Sequence, residues 1–230
     1  MSHFVVLVVG DVDSQLAPFC ESDEAYMTAE DQDSDDGESY NYNPNAKWDW
    51  YEVGGRWEGA LLHKNGERVS ELRKSELDIA GMQRQSVDRA LGLFDAYADA
   101  FRGQEIPTWN ATLSQCMGDS RAASEAYDLD PVIAAINALR AAYKGLEAPY
   151  ADLPWSTPCR HELFCGGDRE AMAAKAAQDA GVLYAFLRDG EWYEGNGSWF
   201  KEDSLWSAQY HSLLADVPDD TLLTVVDCHI

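Results

Sequence analysis

The stretch SHFVVLVVG, residues 2–10, indicates the fold more clearly than any other segment of the chain. It is short, rich in β-branched side chains and continuously apolar, and it ends at Gly10. Such a run is typical of a strand covered on both faces, because a strand with one solvated face alternates apolar and polar residues. We therefore predict a buried strand near the centre of a sheet.

The order of the remaining segments predicts the fold class. Residues 221–230, TLLTVVDCHI, form a second apolar strand at the other end of the chain. Apolar residues recur at helical spacing between about 70 and 145, and Asp130 before Pro131 is a typical helix start. We predict a single α+β domain over residues 1–230, with a largely antiparallel (mixed) sheet of about five or six strands and a helical block inserted between its halves.

An aromatic segment, NPNAKWDWYEVGGRWEG at residues 43–59, contains the first of two predicted hairpins. Residues 48–53 are expected to pair with roughly 56–64 across Gly54-Gly55, because this dipeptide permits the positive φ of a tight turn. A second hairpin is expected over residues 182–195, across Asp189-Gly190, followed by a helix at about 203–215.

Both hairpins carry aromatic side chains that suit either a core or a ligand surface. As core, the rings would supply buried area. As a platform, they would stack on a planar ligand, and the neighbouring cations would bind its phosphate. The predicted ligand-binding residues are Lys47, Trp48, Trp50, Tyr51, Arg56, Trp57, Trp192 and Tyr193.

The acidic composition limits the possible partners. The chain has 41 acidic and 17 basic residues, a formal charge of −24, which disfavours direct binding to nucleic acid or anionic membranes. Residues 21–42 are so acidic and so poor in apolar residues that we predict a mobile surface loop. No apolar run approaches the ~20 residues of a membrane span, so we expect no membrane association.

The cysteines and the candidate metal ligands favour a reduced protein without a metal or cofactor. The five cysteines are scattered, contain no CxxC motif and follow no signal peptide, so we expect a cytoplasmic location. Cys159, His161 and Cys165 are close in sequence, but a structural zinc site needs a fourth ligand. Residues 31–42 start like an EF-hand loop but lack its glycine and its closing glutamate.

The two ends of the chain contain a candidate catalytic cluster. Asp227 and His229 share one face of the last strand, and an antiparallel pairing with the first strand would bring His3 close to His229. Together they could hold a metal or act as general acid and base. Alternatively, both histidines lie at the surface as strand-end residues, and a parallel pairing would separate them.

Three segments carry a resemblance to a family. The opening MSHFVVLVVGD, the central NPNAKWDWYEVGGRWEG and the closing PDDTLLTVVDCHI resemble a family of phage and prophage proteins of unassigned function. The resemblance implies a viral accessory protein that acts in the bacterial cytoplasm. It supplies no catalytic residues.

Three functions are compatible with these observations, and binding is favoured over catalysis. The first is a phage accessory protein, acting in counter-defence, that binds a small nucleotide-like ligand in an aromatic-lined pocket. The second is an acidic mimic of nucleic acid that inhibits a basic host defence protein. The third is a metal-assisted or His-dependent hydrolase that uses His3, Asp227 and His229. Common hydrolase and nucleotide-binding motifs, such as GxSxG and GxGxxG, are absent from the sequence.

Overall fold

The structure is a computed structural model that describes residues 3–32, 39–144, 169–195 and 204–230. The chain divides into two compact units. The first combines Met1–Gly81 with Gly181–Ile230, and the second is Met82–Ala180.

The strands belong to the first unit, and the helices occur in both. The strands are β1 (His3–Val9), β2 (Ala29–Gln32), β3 (Ser39–Tyr42), β4 (Trp50–Val53), β5 (Leu61–Leu62), β6 (Arg68–Val69), β7 (Glu71–Arg73), β8 (Ala185–Arg188), β9 (Glu191–Glu194) and β10 (Leu222–His229). The helices are α1 (Val12–Leu16), α2 (Ile79–Ala100), α3 (Trp109–Gln115), α4 (Ser120–Leu129), α5 (Pro131–Lys144), α6 (Arg169–Asp179) and α7 (Ser204–Ala215).

The main sheet of the described residues has six strands and confirms the predicted α+β class. Its order is β4-β10-β1-β8-β9, and β7 also pairs with β10. The β1–β8 pair is parallel and the other pairs are antiparallel, so the sheet is mixed. The two strands from the chain ends, β1 and β10, lie side by side at its centre.

The sheet is buried on both faces, as the composition of β1 predicts. On one face Val6, Val8 and Leu187 pack with Leu16 of α1 and with Trp48. On the other face the ring of Phe186 contacts Tyr210 of α7, with ring centroids 5.3 Å apart. Helix α7 matches the predicted helix at about 203–215 and ends before Pro218.

The predicted hairpin across Gly54-Gly55 is wrong. Strand β4 pairs with β10, whereas β5 pairs with β6, and Gly55–Trp57 forms a 3-10 turn. The Gly54 N–H donates to Val225 O at 2.8 Å, which places the turn against the central strand. Both glycines have the positive φ expected of a turn. However, β4 pairs with the edge of β10 and not with the segment that follows the turn.

The second predicted hairpin is confirmed. Strands β8 and β9 pair in register across Asp189-Gly190, and both turn residues have positive φ. Positive φ at both central residues matches the twist of antiparallel strands, which is why Asp-Gly favours this turn.

The acidic segment contains more regular structure than predicted. Within residues 21–42, Glu24–Tyr26 form a 3-10 turn and β2 pairs with β3 in an antiparallel ladder. Charge density is therefore not sufficient to predict a loop here, since backbone pairing does not depend on apolar side chains.

The second unit is helical and has its own small core. Its buried residues are Tyr97, Phe101, Tyr127, Ile133 and Ile136. The Asp130 carboxylate accepts from the N–H groups of Val132 and Ile133, which confirms the predicted start of α5. The predicted helical stretch begins later than 70, because Glu71–Arg73 belong to the sheet.

Candidate functional site

The antiparallel pairing of β1 with β10 brings the two chain ends together. His3 lies directly opposite His229 in the register, and their ring centroids are 5.0 Å apart. Of the two strand arrangements considered from the sequence, the structure has the one that joins these histidines. We call the group formed by His3, Asp49, Trp50, Asp227 and His229 the His3–His229 cluster.

Asp227 is the buried charge of this cluster. Its side chain is 2% exposed. Its Oδ1 accepts from His3 Nδ1 at 2.9 Å, and its Oδ2 accepts from the Arg56 backbone N–H at 3.1 Å. A buried carboxylate is costly unless such partners satisfy it, so this group needs both bonds.

Gly55 allows the 3-10 turn to approach Asp227. A methyl group at Gly55 would lie 2.5 Å from Asp227 Cβ, closer than two carbon atoms can pack. Gly55 also has a φ of +49°, a conformation that residues with a side chain rarely adopt. The second glycine of the pair is therefore required by the site.

A second histidine–carboxylate pair lies beside the first. The Asp49 Oδ1 accepts from His229 Nδ1 at 2.7 Å, and the Asp49 N–H donates to His229 O at 3.0 Å. Asp49 was not among the residues predicted from the sequence. Its only local signal is its position between two tryptophans, which does not indicate a partner 180 residues away.

One ring nitrogen of the cluster is buried without a partner. His229 Nε2 is inaccessible to solvent and, within the described parts of the chain, makes no hydrogen bond. Both histidines use Nδ1 to contact a carboxylate. An ionised carboxylate can only accept, so Nδ1 carries the proton in each pair.

Trp50 forms the exposed side of the cluster. Its ring centroid lies 6.2 Å from that of His3 and 6.2 Å from that of His229, with both ring pairs nearly perpendicular. The residue is 49% exposed, an unusual exposure for such a large apolar ring. Trp50 can therefore contact a ligand from solvent.

The other predicted aromatic residues of the central segment do not join Trp50. Trp48 is 8% and Trp57 is 7% exposed. Trp48 donates to Leu16 O through Nε1 and contacts the ring of Tyr51 in the core on the opposite face. The strand alternation that would place Trp48 beside Trp50 fails, because β4 starts only at Trp50 and a bend lies at Asp49.

Tyr51 is held by a carboxylate on that opposite face. Its hydroxyl donates to Asp13, and this hydrogen bond, followed by burial, raises the pKa of Tyr51 to about 12. Cys228 faces the same side and is fully buried, and burial raises the pKa of its thiol. Neither group has access to the His3–His229 cluster, so neither supplies a nucleophile there.

The two predicted cations differ in availability. Lys47 Nζ lies 3.1 Å from Glu194 Oε1, in an ion pair. Arg56 is exposed and has no ion-pair partner among the described residues. Arg56 is therefore the cation that is free for a ligand, and its backbone is bonded to Asp227 of the cluster.

The predicted aromatic pair of the second hairpin is engaged within the protein. Trp192 packs against Phe4 and Phe19, and its Nε1 donates to Glu194 Oε2 at 2.8 Å. The Tyr193 hydroxyl donates to Glu191 at 2.7 Å. Trp192 is therefore part of the core, and the Tyr193 hydroxyl is engaged within its own strand.

An open cavity of about 500 Å³ lies next to Lys47 and Trp48. Its lining residues are Glu21, Tyr42, Asn43, Ala46, Lys47, Trp48 and Ile230. The Asn43 amide donates to Pro18 O and Cys20 O, and Lys47 is paired with Glu194, so these two polar side chains of the lining are already engaged. Both side chains are therefore less available to a ligand than His229 Nε2 of the His3–His229 cluster, which has no partner among the described residues.

The described residues lack features of a metal site or of a membrane span. They contain no group of three or more His, Cys, Asp and Glu side chains arranged to hold a metal ion. Cys159, His161 and Cys165 lie outside the described residues. No described helix is both long and apolar enough to cross a bilayer.

The chain was compared with protein-family models, with curated proteins and with solved structures. None of the three comparisons finds a match. The geometry of the His3–His229 cluster is therefore the basis for the proposed function.

Proposed function

We propose that the protein binds a small nucleotide-like ligand at the His3–His229 cluster. The observation that carries this proposal is the exposure of Trp50 beside two carboxylate-bound imidazoles. The ligand site is thus one exposed indole with polar neighbours, rather than a pocket of four rings.

Trp50 supplies the stacking surface in this proposal. Half of the residue faces solvent, while its inner edge is fixed by ring contacts with His3 and His229. A ring held in this way loses little conformational entropy when a base stacks on it. Stacking of a base on an aromatic side chain contributes about 1–3 kcal/mol.

Arg56 supplies the positive charge for the phosphate. Its backbone is held on Asp227 at one end of the cluster, and its guanidinium is exposed and unpaired among the described residues. A guanidinium can bind two phosphate oxygens at once, which a lysine ammonium does not do. The net charge of −24 opposes an anionic ligand, so the local contact with Arg56 has to outweigh a general repulsion.

Replacing Trp50 by alanine is expected to weaken ligand binding without unfolding the protein. Loss of about 1–3 kcal/mol of stacking corresponds to a Kd that is about 5-fold to 150-fold higher. Isothermal titration calorimetry with linear and cyclic adenine and guanine nucleotides measures this change. Val53→Ala is the matched control, because Val53 is a similarly exposed apolar residue of β4 whose side chain alternates to the other face.

Two outcomes contradict the proposed site. One is an equal Kd for the wild type and Trp50→Ala, with a nucleotide that does bind. The other is the absence of binding to every nucleotide tested. Arg56→Gln separates the phosphate contact from the stacking contact. It should weaken the binding of nucleotides but not that of the corresponding nucleosides, which have no phosphate.

The phage resemblance, the cytoplasmic location and the inhibition of a basic host protein stay predictions from the sequence. A nucleotide-binding accessory protein is compatible with the first two. Inhibition of a basic partner would be seen as a complex that dissociates at high salt, because exposed charge pairs are screened.

A further inference from the structure

We infer that the His3–His229 cluster hydrolyses a phosphate ester of the ligand that it binds, with His229 as general base and His3 as general acid. This inference depends on the proposed function for its substrate, a nucleotide-like phosphate ester. It adds a reaction to a binding site.

Both imidazoles are oriented for proton transfer through Nε2. Nδ1 of His3 is fixed on Asp227 and Nδ1 of His229 is fixed on Asp49, at 2.9 and 2.7 Å. A carboxylate on Nδ1 sets the tautomer and the orientation of a histidine and leaves Nε2 for the reaction.

The unpartnered Nε2 of His229 is the second observation. A buried polar atom without a hydrogen bond costs free energy, and each such atom in a native protein needs an explanation. A general base has this property, because its lone pair has to be unoccupied until the substrate or water arrives. The proposed reaction requires the substrate or its water molecule to reach this nitrogen when the ligand binds.

The burial of the two carboxylates assigns the two roles. Asp227 is 2% exposed, whereas the Asp49 side chain is 42% exposed. A deeply buried carboxylate is stabilised more strongly by a positively charged partner. His3, on Asp227, is therefore assigned the role of proton donor, and His229, on Asp49, the role of proton acceptor.

The reaction balances with water as the co-reactant. His229 Nε2 takes a proton from a water molecule as its oxygen forms a bond to phosphorus. The bond between phosphorus and the leaving oxygen breaks, and His3 gives its proton to that oxygen. A proton then returns from His229 to His3 through solvent, so the net change is the addition of one water across the ester.

His229→Gln is expected to reduce turnover while leaving ligand binding nearly unchanged. General acid or base catalysis contributes about 100-fold to 10,000-fold, so a loss of about 100-fold or more in kcat is expected for His229→Gln and for His3→Gln. The probes are bis(p-nitrophenyl) phosphate and the linear and cyclic nucleotides used for binding. Product is quantified by absorbance and by chromatography.

His63→Gln is the matched control. His63 also lies near a carboxylate, with Nε2 3.8 Å from Glu76, but it is at the end of β5 and outside the cluster. Its replacement should leave kcat unchanged. Asp49→Asn tests the positioning role, since it should lower kcat more than it raises KM and should shift the acidic limb of the pH profile, where the general base has to lose its proton.

The outcomes separate this inference from the proposed function. Binding that depends on Trp50, without turnover of any probe, overturns the inference and leaves the binding site in place. Turnover that survives in both His3→Gln and His229→Gln, with folding confirmed by circular dichroism, also overturns it. Absence of both binding and turnover contradicts the inference and the proposed function together.

Discussion

Gly55→Ala is expected to lower the free energy of unfolding by about 3–5 kcal/mol. The new methyl group would lie 2.5 Å from Asp227 Cβ, and the φ of +49° is unfavourable for alanine. Relief of the clash requires the 3-10 turn to move away from the sheet, which breaks the bond between the Arg56 N–H and Asp227. Urea denaturation followed by tryptophan fluorescence measures the change.

Gly66→Ala is the control for the clash. Gly66 also has a positive φ, +91°, but a methyl group there would meet no atom within 4 Å. We expect a loss of about 1 kcal/mol, from backbone conformation alone. Equal losses in the two variants would show that the turn does not pack on Asp227 as described.

Asp227→Ala is expected to be the most destabilising change within the His3–His229 cluster. It removes a carboxylate that is 2% exposed and leaves the His3 Nδ1–H and the Arg56 N–H without acceptors. Removal of one partner from a buried ion pair costs about 3–5 kcal/mol. The measurement is the free energy of unfolding at neutral pH.

Asp49→Ala provides the comparison for Asp227→Ala. Asp49 also binds a histidine, but its side chain is 42% exposed, so water can replace the lost contact. We expect a loss of about 1 kcal/mol or less. If Asp49→Ala destabilises as strongly as Asp227→Ala, then Asp227 is not the buried anchor of the cluster.

Features set by local sequence were predicted correctly. The composition of β1 predicts its central, doubly covered position, and Asp189-Gly190 predicts the turn between β8 and β9. Asp130 before Pro131 predicts the start of α5. In each case the residues that cause the feature lie within or next to it, so the local sequence is sufficient to predict it.

Pairing between distant segments could not be predicted in this way. Gly54-Gly55 has the signal of a hairpin, yet β4 is held by β10, which is almost 170 residues further along the chain. The bend at Asp49 then reverses the expected face of Trp48 relative to Trp50. A two-residue turn signal predicts the local backbone conformation, but it does not predict which strand will pair with the residues next to the turn.

The candidate site was predictable only in part. Strand alternation places Asp227 and His229 on one face, and the contact with His3 follows once β1 and β10 are antiparallel. Asp49 was missed because its partnership with His229 depends on the pairing of β4 with β10. The burial of Trp48 and Trp57 was likewise set by tertiary packing rather than by residue type.

Nitrogen-15 NMR of the histidine side chains, recorded with and without a bound nucleotide, tests whether the His3–His229 cluster has the proposed tautomers and binds the ligand. When its imidazole is neutral, we expect His229 to carry its proton on Nδ1 and to have an unprotonated Nε2, whose signal moves when the nucleotide is added. A His229 ring protonated on Nε2 would contradict the proposed general base. A nucleotide that binds without changing the signals of His3 and His229 binds elsewhere, which would contradict the proposed site.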